Sequence, residues 1–316
     1  MANSRKLKLS SILSRVENIL REQIQRDDHL VIGLSGGVDS VSLLSILASL
    51  SVQLSFTLSA LHINHGISPN ANKWEKFCLN LCRAHGIPIK IAKLKISRSP
   101  GTSLEAIARD ARYQKFKKLK ADHIILAQHL DDQAETLLLQ MLRGAGVKGL
   151  GAMPVIRNQI SEDGNRPPDT GPQILRPLLN VSRSEIEGYA QENKLYWMTD
   201  ESNNDVSFDR NFLRHKIFPL LEKRFPSYRT TFLRTSRHMA EAGSLLDELA
   251  EYDSKECIIS NKLQIERLRK LSFPRARNLL RYSLAQQGVI LPSAVKLEDI
   301  LGQLFSSRLD TKLHIT

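Results

Sequence analysis

Six consecutive residues, Ser35-Gly36-Gly37-Val38-Asp39-Ser40, combine the features of an anion cradle. They stand where an apolar run, Leu30 to Leu34, gives way to a helical pattern from Val38 to Leu50. Free N–H groups and the positive end of a helix dipole therefore converge on them. Gly36 and Gly37 let a phosphate approach the backbone without Cβ obstruction, while Ser35 and Ser40 can add hydroxyl donors. Asp39 would repel that phosphate unless a cation lies between them, and Mg²⁺ commonly takes one or two carboxylates together with phosphate oxygens. The lysine of G-x-x-x-x-G-K-[ST] is missing, which argues against a nucleoside triphosphatase of that class. A double glycine also suits a plain tight turn, but strand, helix and both serines agree on phosphate.

Further downstream, His129-Leu130-Asp131-Asp132-Gln133-Ala134-Glu135-Thr136 follows an apolar run and enters a helix whose other side is Leu137, Leu138, Met141 and Leu142. Asp132 and Glu135 are three apart, so their carboxylates leave one face about a turn apart. Acids at a helix start also complement the dipole, and spacing alone leaves chemistry and capping equally open. Two weaker signals accompany them. His62-Ile63-Asn64-His65-Gly66 follows an apolar run at the end of which α/β sheets bind ligands, and Arg109 and Arg112 share one face of the helical pattern from Glu105 to Arg112.

These groups need a scaffold that carries them to one edge. Apolar runs at Leu30 to Leu34, Phe56 to Asn64, Ile87 to Leu94 and Asp122 to Ala127 each precede a helical pattern, the signature of βαβ units on a parallel sheet. The expected class is α/β, a Rossmann-like domain followed by a smaller, mainly helical one. The Val38 to Leu50 helix is apolar on most sides and should be covered on both faces. Leu9, Ile12, Leu13, Val16, Ile19 and Leu20 recur at helical spacing and predict an amphipathic N-terminal helix rather than a signal peptide. From Arg157 to Gln173 the chain is rich in breakers, either a connector or a lid facing substrate.

Charge narrows the partners. The 316 residues carry 45 Lys and Arg against 33 Asp and Glu, a net charge of +12 that draws polyanions, nucleic acid first among them, although such a balance also serves solubility. Between Arg210 and Arg237 there are eight Lys or Arg residues, Lys216 among them, and one acid, Glu222, with Phe212, Phe218, Phe225, Tyr228 and Phe232 interleaved. The domain boundary is expected in this stretch, giving residues 1–216 and 217–316. No run of about 18 apolar residues could span a bilayer. Cys78, Cys82 and Cys257 are too few and too irregular for a disulfide framework, which points to a reducing compartment, the cytoplasm, and to buried packing.

The S-G-G-V-D-S loop resembles that of the PP-loop ATP pyrophosphatases, and an ordered series of further motifs is similar to the bacterial tRNA(Ile)-lysidine synthetases. The series comprises Leu61 to Gly66, Leu104 to Tyr113, Gln128 to Thr136, Arg143 to Gly146, Gly149-Leu150, Arg176 to Leu179 with Arg183 and Glu185-Ile186, Asp200 to Asn203, and Arg210-Asn211 with Arg214. Beyond Pro219 the likeness is to the shorter family architecture with one C-terminal domain.

The resemblance implies a two-step reaction. ATP adenylates the C2 carbonyl oxygen of cytidine 34 in a tRNA(Ile) with anticodon CAU, releasing pyrophosphate; the ε-amine of L-lysine then attacks C2 and AMP leaves. On that footing Ser35 to Ser40, His62 and Asn64 would bind ATP, with Mg²⁺ at Asp39. Asp132 and Glu135 would hold the lysine ammonium and accept its proton, and Arg109 and Arg112 would pair with phosphates of nucleotide or tRNA. Arg210, Arg214 and Lys216 would contact the tRNA backbone. Two rivals share features: a tRNA sulfur transferase, which would need paired reactive cysteines, and a basic RNA-binding module with a vestigial loop.

Overall fold

The computed structural model describes residues 2–66, 68, 70–94, 104–157, 171–199, 205–260, 262–289 and 291–306. Four parallel strands form where apolar runs were expected: β1 (His29–Gly33), β2 (Thr57–Asn64), β3 (Ile89–Lys93) and β4 (His123–Ile125). Two short strands complete the sheet, β5 (Ile156–Arg157) and β6 (Gln173–Leu175). The order is β3-β2-β1-β4-β6-β5, with only β5 antiparallel. The chain steps outward from β1 to β3 and then returns to the other side of β1. A crevice consequently opens at the carboxyl ends of β1 and β4, the switch point at which such sheets bind ligands.

Strand alternation sends Leu30 and Ile32 of β1 to one face and Val31 to the other. The first face is covered by α1 (Ala2–Gln23), α2 (Val38–Leu54), α3 (Ala71–Ala84) and α7 (Arg183–Glu192). In α1, Ile12, Val16 and Leu20 are buried at four-residue spacing, as the amphipathic pattern requires. Seven apolar side chains of α2, from Val38 to Leu50, are buried on most of its circumference, because α2 lies between the sheet and the helices outside it. The second face is covered by α4 (Leu104–Lys117), whose Phe116 packs with Val31, Leu61, Ile124 and Ile174.

From the strand ends the chain passes into α5 (Leu130–Leu142) and α6 (Val147–Leu150), and both pack on the long α10 (Tyr228–Cys257). A Cβ on Gly151 would lie 3.3 Å from Ala240 Cα, so glycine permits this close approach. Between them run α8 (Asp209–Phe212), a π-helical turn (Leu213–Ile217) and α9 (Phe218–Arg224). A separate core of Cys257, Leu268, Ala276, Leu279, Leu297, Leu301 and Leu304 joins the end of α10 to α11 (Ile265–Leu268), α12 (Phe273–Gln286) and α13 (Ala294–Ser306). This C-terminal region is mainly helical among the described residues, with a short antiparallel pairing of β7 (Ile258–Ile259) and β8 (Lys262–Leu263).

Two segments singled out in the sequence fall largely outside the described residues: 158–170 of the Arg157 to Gln173 stretch, and Asp200 to Asn203. Among the described residues no helix is long and apolar enough to cross a membrane.

Candidate active site

The loop between β1 and α2 is shaped by its own serines. Ser40 Oγ accepts from Ser35 N and Gly36 N, both at 3.2 Å, and donates to Gly37 O at 3.1 Å. Ser35 Oγ lies 3.0 Å from Ser40 Oγ and accepts from Gly37 N at 3.3 Å. Through these bonds Ser40 holds the loop's curvature. The N–H groups of Val38, Asp39 and Ser40 in the first turn of α2 have no helical carbonyl four residues back, and these are the donors left for an anion. Gly36 has φ +92°, and a Cβ there would meet Cys78 Sγ at 3.2 Å. The thiol thus packs against the underside of the cradle, where burial pushes it up to about 12.

Across the crevice, α5 begins on His129, which is buried, as its N-cap, with the His129 N–H donating to Asp132 Oδ2 at 3.0 Å. His129 Nε2 lies 3.5 Å from Asp132 Oδ2 and 3.6 Å from Asp39 Oδ1. Two motifs more than ninety residues apart in sequence therefore meet across one imidazole. Asp39 Oδ1 is buried without a hydrogen-bond partner, and Oδ2 is 4.0 Å from Arg183 Nη1. Burial raises the Asp39 carboxyl above its ordinary value, against the pull of His129 and Arg183.

One turn further, Glu135 is fully buried. Arg214 donates to Glu135 Oε1 from Nε at 2.9 Å and Nη2 at 2.7 Å, and Arg210 Nη1 approaches Oε2 at 3.5 Å. Burial and the neighbouring Asp132 raise the Glu135 carboxyl, and the two guanidiniums oppose them. Asp132 stays 17% exposed, with Arg214 and Arg210 at 3.8 and 3.9 Å from its Oδ1. Arg210 and Arg214 thus bind carboxylates while keeping 26% and 27% of their side chains exposed, and of the two acids Asp132 is the one with an accessible carboxylate. Lys216, two residues beyond Arg214, is exposed.

The residues read as nucleotide-binding at the end of β2 are already engaged. His62 Nδ1 donates to Leu34 O at 2.8 Å, which bolts β2 to the base of the loop. Asn64 Nδ2 donates to Glu75 Oε2 at 2.8 Å while its Oδ1 accepts from Gly66 N at 2.9 Å. Both shape the loops around the crevice. On the α4 side, Arg109 is exposed and stacks over Tyr113 at 5.7 Å, whereas Arg112 is half-buried near His65, whose imidazole is held below its ordinary value by burial and then by Arg112.

Sequence reading missed three contributors. His129 was part of a motif but received no role. Arg183 reaches Asp39 from the start of α7, where Ser182 caps the helix. Asp131 accepts from Arg183 N at 2.9 Å and from Arg229 Nε at 2.5 Å, tying α5 to α7 and α10; burial would raise its carboxyl, but these two donors outweigh burial and lower it. In sequence, His129, Asp131 and Arg183 stand within motifs whose spacing gives no sign of these contacts.

A family described as PP-loop domain matches residues 8–221, and one described as TilS substrate binding domain matches residues 263–316. The tRNA(Ile)-lysidine synthase of Nitrosomonas europaea is 52% identical over 304 residues, covering 96% of this chain and 65% of that protein. The enzyme of the same name from Actinobacillus pleuropneumoniae serotype 3 is 37% identical over 303 residues, covering 95% and 68%. The chain spans roughly three fifths to two thirds of the length of the curated relatives it matches. Among solved structures, the U34-tRNA thiolase NcsA of Methanococcus maripaludis superposes with a TM-score of 0.58 at 20% identity, over 75% of this chain and 80% of that one, a likeness of fold.

Proposed function

The chain belongs to the tRNA(Ile)-lysidine synthase family of PP-loop proteins, and from that premise we propose that it converts cytidine 34 of tRNA(Ile) with anticodon CAU to lysidine at the expense of ATP. The observation that carries this reading is the meeting of Asp39 and Asp132 across His129, which brings a phosphate cradle and an accessible carboxylate to one crevice.

In the first step the C2 carbonyl oxygen of the cytidine attacks the α-phosphorus of ATP and pyrophosphate leaves. The first-turn N–H groups of α2 and the dipole behind them would bind the departing phosphates and spread their charge. Asp39 suits Mg²⁺, because a buried carboxylate oxygen lacking a hydrogen bond beside a phosphate site is a donor that the ion can use. When bound, Mg²⁺ neutralises charge on the transferred and leaving phosphates. In the second step the lysine ε-amine attacks C2 and AMP departs. The amine must shed a proton first, and Asp132 would hold the ammonium and accept that proton. Glu135 serves this arrangement by fixing Arg210 and Arg214 beside Asp132.

Arg109, Arg112 and Lys216 are assigned to phosphates of ATP or tRNA, with Ser35 to Ser40 as the ATP loop framed by His62 and Asn64. Residues 1–216 would form the adenylating domain and 217–316 the tRNA-binding one, working in the cytoplasm. The burial of all three cysteines disfavours the sulfur-transfer rival.

The test is incubation of the protein with Mg-ATP, lysine and the tRNA, followed by mass analysis of the nucleosides. Lysidine with one AMP and one pyrophosphate per turnover is expected, and Asp132→Asn should still release pyrophosphate in a single turnover while failing to incorporate lysine. ADP and phosphate as products, or unmodified cytidine 34 after full incubation, would overturn the assignment.

A further inference from the structure

The aromatic residues interleaved with cations between Arg210 and Arg237 divide into two groups. Phe218, Tyr228 and Phe232 turn inward and pack with Ala134, Leu138 and Leu213, their rings 5.1 and 5.7 Å apart along the series. Phe212 and Phe225 stay outside, 45% and 59% exposed, and Phe208 just upstream is 36% exposed. Each of the three leaves a third or more of its surface in solvent, so burial accounts for only part of their aromatic area.

Phe212 N donates to Phe208 O at 2.9 Å, so Phe208, the extended N-cap residue, and Phe212 bracket the single turn of α8. Arg210 and Arg214 bind Glu135. Around this short helix the arginines engage the protein, while the Phe208 and Phe212 rings stay partly exposed. Exposed Met141 and Leu142 end α5, and the next residue, Arg143, pairs with Asp209 of α8 at 3.4 Å. Exposed Lys216 adds a cation four residues beyond Phe212. Single exposed apolar residues are ordinary, but rings grouped with aliphatic neighbours and rimmed by cations mark a binding surface.

We propose that Phe208 and Phe212 form a stacking platform for unpaired bases of the substrate RNA loop. Every base has a π-face, and exposed rings among cations are how proteins hold single strands without reading their sequence. Loop bases can be splayed onto such a platform, whereas bases in a duplex cannot. Arg210 of α8 reaches the crevice with Nη1 3.9 Å from Asp132 Oδ1, and Phe212, two residues on, projects away from it. Unpaired bases beyond the modified cytidine, and not the cytidine itself, would therefore lie on α8. The inference rests on the reading that the substrate is a tRNA, and it adds how the loop is held.

The test compares wild type, Phe212→Leu and Phe212→Trp for binding to the isoleucine tRNA and to a fully paired RNA duplex over a salt series. Phe212→Leu should weaken tRNA binding roughly five- to hundredfold, the loss of one stacked base. The slope of log K against log salt should not change, because no phosphate contact is removed, and duplex affinity should be untouched. Phe212→Trp should bind tRNA at least as well as wild type. Equal tRNA affinity for the Leu variant and wild type would sink the platform while leaving the functional reading intact. So would an equal weakening toward the duplex, or a wild-type self-association in sedimentation that Phe212→Leu abolishes, which would make the patch a protein interface. Failure of the wild-type protein to bind tRNA at all would remove the functional reading and the platform with it.

Discussion

Asp132 and Glu135 sit one helical turn apart, and converting each to its amide should separate a chemical role from a structural one. Glu135 is fully enclosed, with Arg214 bonded through two nitrogens at 2.7 and 2.9 Å and Arg210 at 3.5 Å. Glu135→Gln keeps the shape and leaves two guanidiniums against a neutral group. Removing one partner of a buried ion pair costs about 3–5 kcal/mol. The arginines here are 26% and 27% exposed, so water screens part of their charge. The loss should therefore fall near ~2–3 kcal/mol. Asp132 has no guanidinium within 3.5 Å, and its bond from His129 N survives as Asn, so Asp132→Asn should cost under ~1 kcal/mol. Urea unfolding followed by the fluorescence of Trp74 and Trp197, both in the sheet-bearing lobe, reads the difference. Pairing Glu135→Leu with Arg214→Leu should be less damaging than the sum of the single changes by more than ~1 kcal/mol. A Glu135→Gln variant as stable as wild type, or additive single changes, would refute the account of the arginine clasp.

Gly36→Ala should destabilise the protein by about 1–3 kcal/mol, because φ +92° is strained for alanine and its Cβ meets Cys78 Sγ. Gly37→Ala, whose Cβ would meet only Ser35 Oγ at 3.6 Å, should leave the melting temperature unchanged yet weaken ATP binding at least tenfold by calorimetry, and unaltered ATP affinity would move the phosphates elsewhere. With Cys78 pushed up to about 12 and Cys82 to about 11, iodoacetamide at pH 8 should leave both unlabelled until the chain is denatured, and replacement of all three cysteines by serine should preserve AMP formation. Asp131 has a depressed carboxyl, so its stabilising contacts with Arg183 and Arg229 persist at any pH above the ordinary aspartate value, about 3.9, and fade as pH falls toward the lower folded value. Arg229→Leu should therefore lower stability at pH 7 and shrink the further loss seen below pH 4 in a stability–pH series.

Much of the scaffold was legible because its signals are local. The first four strands and α2 announce themselves as apolar runs and helical patterns, and the anion cradle needs only Gly36, Gly37 and a helix start. β6 was not legible: Gln173-Ile174-Leu175 is too short to show a period, and pairing with β4 alone makes it a strand. The partners of side chains were the least legible of all. A motif rich in Arg210, Arg214 and Lys216 looks like one basic surface in sequence, but α8 and the π-helical turn carry the first two onto Glu135 and leave the third in solvent. His129 and Arg183 entered the site through contacts spanning 90 and 144 positions, which no spacing rule encodes.

The remaining question at the site is what balances Asp39. Burial already lifts its carboxyl, and a polyphosphate in the adjacent cradle would lift it further, since like charges in a desolvated crevice cannot all stay ionised. Two resolutions exist: Asp39 takes up a proton on nucleotide binding, or a divalent cation stands between them. Asp39→Asn distinguishes the two, because Asn mimics the protonated acid but is a weaker ligand for a hard cation. The buried Oδ1 without a hydrogen bond is an oxygen that such a cation could take as a ligand. Calorimetric titration of ATP with and without Mg²⁺ should then show strong Mg²⁺ dependence in wild type and little in Asp39→Asn. An Asn variant that binds Mg-ATP as tightly as wild type, with net proton uptake on binding in the wild type alone, would assign Asp39 to the protonated alternative.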